Sequence, residues 1–483
     1  MTISLNKKIA ILFLVLLCLI QSTYLAINFN KFSWENIDDL LTLTLIDQNN
    51  YEDLIIALKS GLNVFPPFYF LFAYLLVEVF QLPKEILLYA HIPLLWVSIL
   101  LTYKLFRSFT NRQIASFATI STATIKSAFL TQSIYVRPYC LYYCASLATV
   151  LTAINFQKKH SKLNFFFYWT AFQVLTHSHY YGLPIGMLVS IPLLFSKISN
   201  RKKCFAFIIT LSPSLLTYAY ILPKQLSFLF FAGTTGDTSF GNILAIYKAL
   251  SFPAIFVFGV ILFFSFFNRD KVFLKINVPI SLLLLWVSPL IITLILSLTF
   301  GEGTYYRYFI PSQIGIVAFG IWIVSLIHPF DFSTKSSSIL IAISLLLMST
   351  WSVRNIATKK IQFQKNHIGS MDFDQSIIKD MKIPFLTSHL ETFLKISHDS
   401  NWPVQSFLLR TDKDDFIELP KFNKLLTPIT TDELTNLNHF IYHFYYSGPH
   451  SLIDFKPNQW ADKNDYRISE ISQYPLVLRF TRD

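Results

Sequence analysis

Apolar runs of about 20 residues recur through most of this chain, and they constrain its fold more than any other feature. A helix needs about 20 apolar residues to cross the hydrocarbon core of a bilayer. The pattern therefore predicts an all-α polytopic membrane protein with about 11–13 transmembrane helices. The predicted segments are 9–28, 65–82, 86–106, 113–134, 138–156, 164–178, 180–196, 204–222, 252–267, 278–299, 308–327 and 337–352.

The charge pattern agrees with this prediction and argues against a nucleic-acid-binding protein. Only 14% of the residues are charged, against about 25% in soluble domains. The net charge is +12, but the basic residues stand in short clusters between apolar runs, as the positive-inside rule expects for cytoplasmic loops. These clusters are Lys7–Lys8, Lys158–Lys162, Arg201–Lys203 and Arg269–Lys275.

The basic clusters also set the expected topology. With Lys7–Lys8 in the cytoplasm, the first apolar run is expected to remain as an uncleaved span. The extracytoplasmic side is then expected to carry residues 29–64, 134–138, 176–181, 223–250 and 300–308. Three spans between residues 65 and 134 would place one of these loops on the wrong side of the membrane. Residues 65–82 are therefore expected to be re-entrant or interfacial.

The composition changes after residue 352, which divides the chain into two predicted parts. Residues 1–352 are predicted to form the membrane module, with residues 29–64 as its first extracytoplasmic loop. Residues 353–483 are polar and contain apolar, strand-like stretches at 407–410, 439–446 and 474–480. This length suits one small soluble α/β domain on the extracytoplasmic side.

Acidic side chains crowd the predicted first loop. Asp38 and Asp39 are adjacent; they can cap a helix, or one of them can accept a proton from an attacking hydroxyl group. Both interpretations stay open. Asn50 predicts a second helix over residues 51–59, with acidic residues in its first turn and Lys59 in its last.

Two arginines stand at the ends of apolar segments on the same predicted side. Arg137 lies in Tyr-Val-Arg-Pro-Tyr, and Arg307 follows Glu302 in Gly-Glu-Gly-Thr-Tyr-Tyr-Arg-Tyr. Such an arginine can snorkel towards the interface. Alternatively, its guanidinium can clamp a phosphate through two parallel hydrogen bonds.

A third polar segment, Thr-His-Ser-His-Tyr-Tyr-Gly, contains His177 and His179. Two histidines two residues apart point away from each other on a helix, so a contact between one of them and a ligand is favoured over a metal site. No cofactor is assigned, and a requirement for a divalent cation stays open. Lys126, in a Ser/Thr-rich span, either snorkels or belongs to the same polar cavity.

The order of these motifs resembles the GT-C membrane glycosyltransferases, in particular the protein O-mannosyltransferase-like and aminoarabinose-transferase-like branch, which are relatives of glycosyltransferase family 39. The acidic pair, Pro-Pro-aromatic, Arg-Pro-Tyr, His-Tyr-Tyr-Gly and Arg-Tyr-x-x-Pro follow one another across about residues 8–350. The C-terminal residues resemble the small soluble domain that some members append.

The resemblance implies transfer of a sugar from a polyprenyl-phosphate donor to an extracytoplasmic lipid, glycan or protein acceptor, with inversion. It implies an integral protein of the bilayer, expected in the bacterial inner or plasma membrane. By motif it implies a catalytic role for Asp38 or Asp39 and donor-phosphate binding by Arg137 and Arg307. The remaining side chains expected to contact substrate are Tyr139, His179, Tyr180, Glu302 and Tyr308.

Two positions depart from the family pattern. Bacterial relatives often carry His or Lys before Pro-Pro, where this chain has Phe65, and many carry an acid where it has Tyr135. The second carboxylate is therefore either missing or supplied elsewhere in the chain, with Glu302 as the candidate. Two other functions stay open: a transporter or flippase of a lipid-phosphate sugar, and a catalytically inactive envelope-assembly protein.

Overall fold

In a computed structural model of the chain, the described residues up to Ile327 are mainly helical, and the residues described from Phe385 onward form strands. The structure describes residues 5–29, 37–48, 50–59, 65–133, 135–195, 200–232, 239–267, 279–300 and 305–327. It also describes single helical positions at 343, 346 and 350, and the strand residues 385–387, 406–410, 429–430, 439–444, 466–473 and 476–482.

Sixteen α-helices lie within the described residues. The first eight are α1 (Leu5–Phe29), α2 (Ile37–Ile46), α3 (Tyr51–Lys59), α4 (Phe68–Tyr74), α5 (Ile86–Tyr89), α6 (His91–Arg107), α7 (Arg112–Thr124) and α8 (Ala128–Gln132). The others are α9 (Tyr139–Lys158), α10 (Lys162–Ser178), α11 (Gly182–Leu194), α12 (Asn200–Ala232), α13 (Phe240–Phe267), α14 (Ile280–Phe300), α15 (Tyr306–Phe309) and α16 (Ser312–Ile327). A π-helical turn, Leu75–Val79, continues α4.

Five helical segments in the described part are long and apolar enough to cross a membrane. They are Ile11–Phe29, Ile86–Arg107, Tyr139–Lys158, Phe205–Pro223 and Gly241–Phe263. Shorter apolar helices cover Phe68–Val79, Gly182–Leu194, Ile280–Leu296 and Ser312–Val324. These segments lie on nine of the twelve predicted spans, as expected for an integral membrane protein with several spans.

The structure corrects two of the predicted segments. Residues 223–250 were expected to form a loop, but α12 continues to Ala232 and α13 begins at Phe240. Residues 113–134 were expected to form one span, but the helix is interrupted between α7 and α8. The predicted span 337–352 lies almost entirely outside the described residues.

The interruption between α7 and α8 is held by a side chain that is distant in sequence. Lys126 has a φ of 44°, a left-handed conformation that residues other than glycine seldom adopt. The Gln313 amide donates to the Lys126 carbonyl at 2.9 Å and accepts from the Ala128 N–H group at 3.1 Å. This buried amide therefore satisfies two of the backbone groups that the interrupted helix leaves without helical partners.

α9 is the central helix of the membrane bundle, since it packs against α6, α10 and α11 and is buried along most of its length. Small side chains such as Cys140 and Cys144, both buried, allow neighbouring helices to approach closely. Its hydroxyl groups bond within the helix: Ser146 donates to the Tyr142 carbonyl at 2.8 Å, and Thr149 to that of Ala145 at 2.8 Å. These bonds lower the cost of burying polar atoms in an apolar interior.

The chain divides into two compact units. The first unit comprises residues 1–32, 65–220 and 234–358, and the second comprises residues 33–64, 221–233 and 359–483. The predicted division at residue 352 stays a prediction.

In the second unit, the predicted helix over residues 51–59 is present as α3. The Asn50 side chain accepts the Asp53 N–H group at 2.8 Å, which is the N-cap bond that the sequence predicts. The Gln225 side chain donates to the Leu58 carbonyl at 2.7 Å, so the end of α12 is fixed to the last turn of α3.

The C-terminal part of the second unit contains a six-stranded sheet with the order β3-β2-β1-β4-β6-β5. The strands are β1 (Phe385–Thr387), β2 (Ser406–Arg410), β3 (Ile429–Thr430), β4 (His439–Phe444), β5 (Tyr466–Gln473) and β6 (Leu476–Arg482). The pairs β3–β2, β2–β1 and β1–β4 are parallel, and the pairs β4–β6 and β6–β5 are antiparallel. Three strands lie on the predicted apolar stretches; parallel neighbours need crossover connections, and those lie outside the described residues.

Candidate functional site

Arg137 is positioned by the turn that begins α9. Its N–H group donates to the Tyr135 carbonyl at 2.9 Å, and Pro138 then stands at the helix N-cap. Proline fixes φ near the helical value, and the Pro138 carbonyl accepts the Tyr142 N–H group at 2.8 Å. Arg137 is only 4% exposed, so this local geometry holds a guanidinium inside the protein.

The guanidinium of Arg137 lies over the ring of Phe65. Its central carbon is 5.3 Å from the ring centroid, within the range of a cation–π interaction. Phe65 precedes Pro66 and Pro67, and Pro67 stands at the N-cap of α4. The start of α4 and the start of α9 therefore meet at this pair.

His179 lies at the centre of a cluster of aromatic rings. α10 ends at Ser178, and His179 is extended, with φ −155° and ψ 141°. The centroid of its ring lies 4.7–5.9 Å from those of five aromatic side chains. They are Phe65, Tyr139, Tyr142, Tyr181 and Tyr308. We call these five rings with His179 the aromatic cluster.

The hydrogen bonding of His179 defines its tautomer. Its Nδ1 accepts the Tyr181 N–H group at 3.1 Å, so the neutral ring carries its proton on Nε2. Nε2 is buried, and among the described residues no group bonds to it. Burial, with a contribution from the Arg307 guanidinium, lowers the pKa of His179 to about 3. The imidazole is therefore neutral at physiological pH, with one buried N–H donor.

Arg307 approaches the same cluster from the chain after α14. Its guanidinium carbon is 4.6 Å from the ring centroid of Tyr305, 5.5 Å from that of Tyr139 and 5.7 Å from that of Tyr308. The Tyr308 ring stacks on Tyr181 at 4.6 Å. The short helix α15 is also tied to α9, because the Tyr142 hydroxyl donates to the Tyr308 carbonyl at 3.1 Å.

The structure therefore brings together five of the predicted site residues, all in the first unit. They are Arg137, Tyr139, His179, Arg307 and Tyr308. They lie at the start of α9, at the end of α10 and in the chain before α16. The loops at these three places are predicted to share one side of the membrane. The arrangement combines two cations and one neutral N–H donor in a setting of low polarity, where electrostatic interactions with an anion are strong.

Tyr180 and His177 face α12 instead. The Tyr180 ring contacts that of Tyr218 at 5.0 Å, and His177 Nε2 lies 3.1 Å from the Thr217 hydroxyl. Tyr181, and not Tyr180, joins His179 in the aromatic cluster. Within the described residues no group of three or more His, Cys, Asp or Glu side chains is placed to hold a metal ion.

The structure describes the predicted acidic residues only in part. Asp39 is in α2, in the second unit, and is fully buried. Asp38 belongs to the same helix, but its side chain lies outside the described part, as does Glu302 altogether. Their predicted roles stay predictions.

Several residues of the cluster were missed or undervalued in the sequence. Phe65 stood out only as a departure from a family pattern. Tyr142 stands three residues after Tyr139 and hence on the same helical face, which is a signal that could have identified it. Lys126 is exposed, and its amine lies 3.8 Å from the Phe252 ring centroid.

Gly182 permits the tight turn that places His179. A Cβ atom at this position would lie 2.7 Å from the carbonyl carbon of Leu175 in α10, and closer still to the oxygen. We expect Gly182→Ala to lower the free energy of unfolding by about 1–3 kcal/mol, because backbone atoms must move to admit the methyl group. Thermal unfolding of the purified protein in detergent measures this effect.

Gly259 provides a matched control for that substitution. It lies in α13, and no described atom lies within 4 Å of a Cβ built there. Gly259→Ala should leave the unfolding temperature unchanged or raise it, because alanine favours the helix by about 0.5–1 kcal/mol. Equal unfolding temperatures for the two variants would show that α10 and α11 do not require glycine at this turn.

The fold of this chain is similar to those of several solved structures. Among solved structures, the chain is similar to ArnT from Cupriavidus metallidurans bound to undecaprenyl phosphate, with 10% identity, 97% of each chain covered and a TM-score of 0.54. The apo form of that protein gives 11% identity, 86% of this chain and 87% of the other covered, and a TM-score of 0.47. The apo oligosaccharyltransferase of Archaeoglobus fulgidus gives 13% identity, 78% and 62% covered, and a TM-score of 0.46.

The first of these similarities confirms the predicted fold. The chain has the fold of ArnT, a GT-C membrane glycosyltransferase, over nearly the whole length of both proteins. No protein-family model matches the sequence, and no curated protein is significantly similar to it.

Proposed function

We propose that this protein transfers a sugar from a polyprenyl-phosphate donor to an extracytoplasmic acceptor by a single inverting displacement. The observation that carries the proposal is the convergence of Arg137, Arg307 and His179 on one aromatic cluster. Two cations and a neutral N–H donor, held together at low dielectric, suit an anionic group that gains charge during a reaction.

The leaving group explains the need for both arginines. When the acceptor oxygen attacks the anomeric carbon, the bond from that carbon to the phosphate oxygen breaks, and its electron pair stays on the lipid phosphate. The phosphate then changes from a diester with one negative charge to a monoester with up to two. Guanidinium groups bind such oxygens through charge-assisted hydrogen bonds, and the start of α9 contributes the positive end of a helix dipole.

Neutral His179 has a different role in this proposal. Its buried Nε2–H group would donate to an oxygen of the donor, since a buried donor without an acceptor costs about 1–3 kcal/mol. A charged imidazole beside Arg307 would add repulsion, and the lowered pKa prevents this. Tyr139 and Tyr308 line the same cluster, and Glu302 completes the proposed set of substrate contacts.

A carboxylate completes the reaction. We assign the acceptor's proton to Asp38 or Asp39, which would orient the hydroxyl group or remove its proton as the new bond forms. Asp39 is 0% exposed, and a buried carboxylate is costly unless it is stabilised or used. Proton, electron pair and sugar are then all accounted for without a redox partner.

The fold similarity supports the same class of donor. The ArnT structure with this fold is bound to undecaprenyl phosphate, a polyprenyl phosphate. By analogy we place the protein in a bacterial inner or plasma membrane, with its site on the extracytoplasmic face. The apolar helices and the fold support a multi-pass membrane protein.

Donor turnover by the purified protein tests the proposal. We expect release of polyprenyl phosphate from at least one member of a panel of radiolabelled polyprenyl-phosphate hexoses and pentoses, when membrane-extracted acceptors are present. Parallel reactions with EDTA, and with EDTA followed by excess Mg²⁺ or Mn²⁺, determine any requirement for a divalent cation.

Vesicle experiments separate this proposal from its rivals. A transporter would move the intact donor across a vesicle membrane without cleaving it, and an inactive assembly protein would do neither. Intact donor throughout the panel, together with no binding of polyprenyl phosphate by the reconstituted protein, would refute the proposed transferase.

A further inference from the structure

We infer that Phe65 is a positioning residue for Arg137, and that its ring face holds the guanidinium in the orientation that meets the donor phosphate. The inference rests on the proposed function and deepens it. Phe65 is not expected to touch the reacting atoms; it would act only through Arg137.

The first support is the burial of both partners. Arg137 is 4% exposed and Phe65 is 8% exposed, and the guanidinium carbon lies 5.3 Å from the ring centroid. A cation–π interaction is stronger where neither group is solvated. An arginine side chain has many rotamers, so a buried ring face that favours one placement reduces the entropy lost when phosphate binds.

The second support is that the Phe65 ring is itself fixed. It meets Tyr139 edge-on at 5.8 Å and His179 at 5.2 Å, with interplanar angles of 77° and 67°. A third ring, Phe70, lies 6.4 Å away. The backbone of Phe65 is also restricted, because a residue before proline is confined to extended conformations.

The same rings connect Phe65 to the second arginine. Tyr139 contacts Phe65 on one side and lies under the Arg307 guanidinium at 5.5 Å. His179 touches both Phe65 and Tyr308, which also lies beside Arg307. The Phe65 ring therefore contributes to the spacing between the two guanidinium groups.

Fluorination of Phe65 separates this role from simple filling of space. Mono-, di- and trifluorophenylalanine weaken the negative potential of the ring face in steps while nearly preserving its shape. We expect polyprenyl-phosphate affinity, measured on the reconstituted protein, to fall with each fluorine and to reach about a tenfold loss with three. The unfolding temperature should change little across the series.

Two comparisons make the result specific. The same fluorinated residues at Phe70, which packs beside Phe65, should leave the affinity unchanged. Phe65→Tyr should retain most of the affinity, whereas Phe65→Leu should lose at least as much as the trifluorinated variant. A flat response to fluorination, or full affinity in Phe65→Leu, would overturn the inference.

A thermal double-mutant cycle tests the pair without reference to activity. The unfolding temperatures of Phe65→Leu, Arg137→Met and the double variant should be non-additive, because the two side chains interact directly. Additive effects would show that the ring does not hold the arginine, even in a protein that binds the lipid. Failure of the wild type to bind polyprenyl phosphate would instead contradict the proposed function, whatever the cycle shows.

Discussion

Arg137→Met is expected to lower the turnover of a polyprenyl-phosphate sugar by about 10²–10³-fold, the loss seen when one oxyanion-stabilising donor is removed from an active site. The variant loses a buried cation at the start of α9 and keeps an unbranched apolar chain in its place. The loss should appear mainly in kcat, because the phosphate carries more charge in the transition state than in the bound donor.

Arg137→Lys distinguishes charge from geometry at the same position. Lysine keeps the positive charge but lacks the planar fork that binds two phosphate oxygens at once. We expect it to recover part of the lost rate without reaching that of the wild type. Single-turnover measurements with radiolabelled donor separate the chemical step from lipid release.

Arg467→Met supplies the control for Arg137→Met. Arg467 lies in β5, in the C-terminal sheet, and is exposed, so its removal should leave turnover within about twofold of the wild type, as is usual for surface substitutions. Wild-type turnover by Arg137→Met would exclude this arginine from phosphate binding. Equal losses in the two arginine variants would point to a general effect of lowered positive charge.

The sequence predicts the helical part of this fold well, because the signal for a membrane helix is local. Apolar runs and basic clusters lie within single segments, and the Asn50 cap of α3 acts over three residues. The main error was the loop predicted over residues 223–250. Polar residues there suggested a loop, but several of them lie within helices. α12 continues to Ala232 although Lys224 and Gln225 fall in its second half, and Gln225 bonds to the Leu58 carbonyl.

Contacts between distant segments were not predictable in the same way. The interruption at Lys126 depends on Gln313, and no local pattern links two residues so far apart in the chain. The choice between Tyr180 and Tyr181 depends on one extended residue, His179, after the end of α10. If α10 continued past Ser178, or if the chain turned differently there, the two tyrosine side chains would point in other directions.

The motifs predicted the two arginines beside the aromatic cluster better than they predicted its rings. Arg137 and Arg307 drew attention because an arginine at the end of an apolar segment is conspicuous. Phe65 and Tyr142 did not, because 17% of the chain is aromatic and single rings are unremarkable in such a sequence. Only the structure shows that these rings surround His179.

Asp39→Asn is expected to reduce sugar transfer by about 10²–10⁴-fold, the usual contribution of a positioned acid or base. Asparagine has nearly the same shape, so the loss would reflect the missing carboxylate charge and proton acceptance rather than packing. The position supports a special role for this residue: Asp39 is fully buried in α2, a helix whose other residues are mostly apolar.

The comparison with Asp38→Asn and Asp53→Asn makes the assignment specific. Asp53, at the start of α3, is bonded to the exposed Asn50 side chain, so its amide variant should transfer sugar at close to the wild-type rate. Asp38 shares α2 with Asp39, and a loss confined to one variant of this pair identifies the acceptor's base. If both variants transfer sugar at the wild-type rate, the acceptor is deprotonated elsewhere, and Glu302→Gln becomes the decisive variant, since Glu302 is the candidate for a second carboxylate.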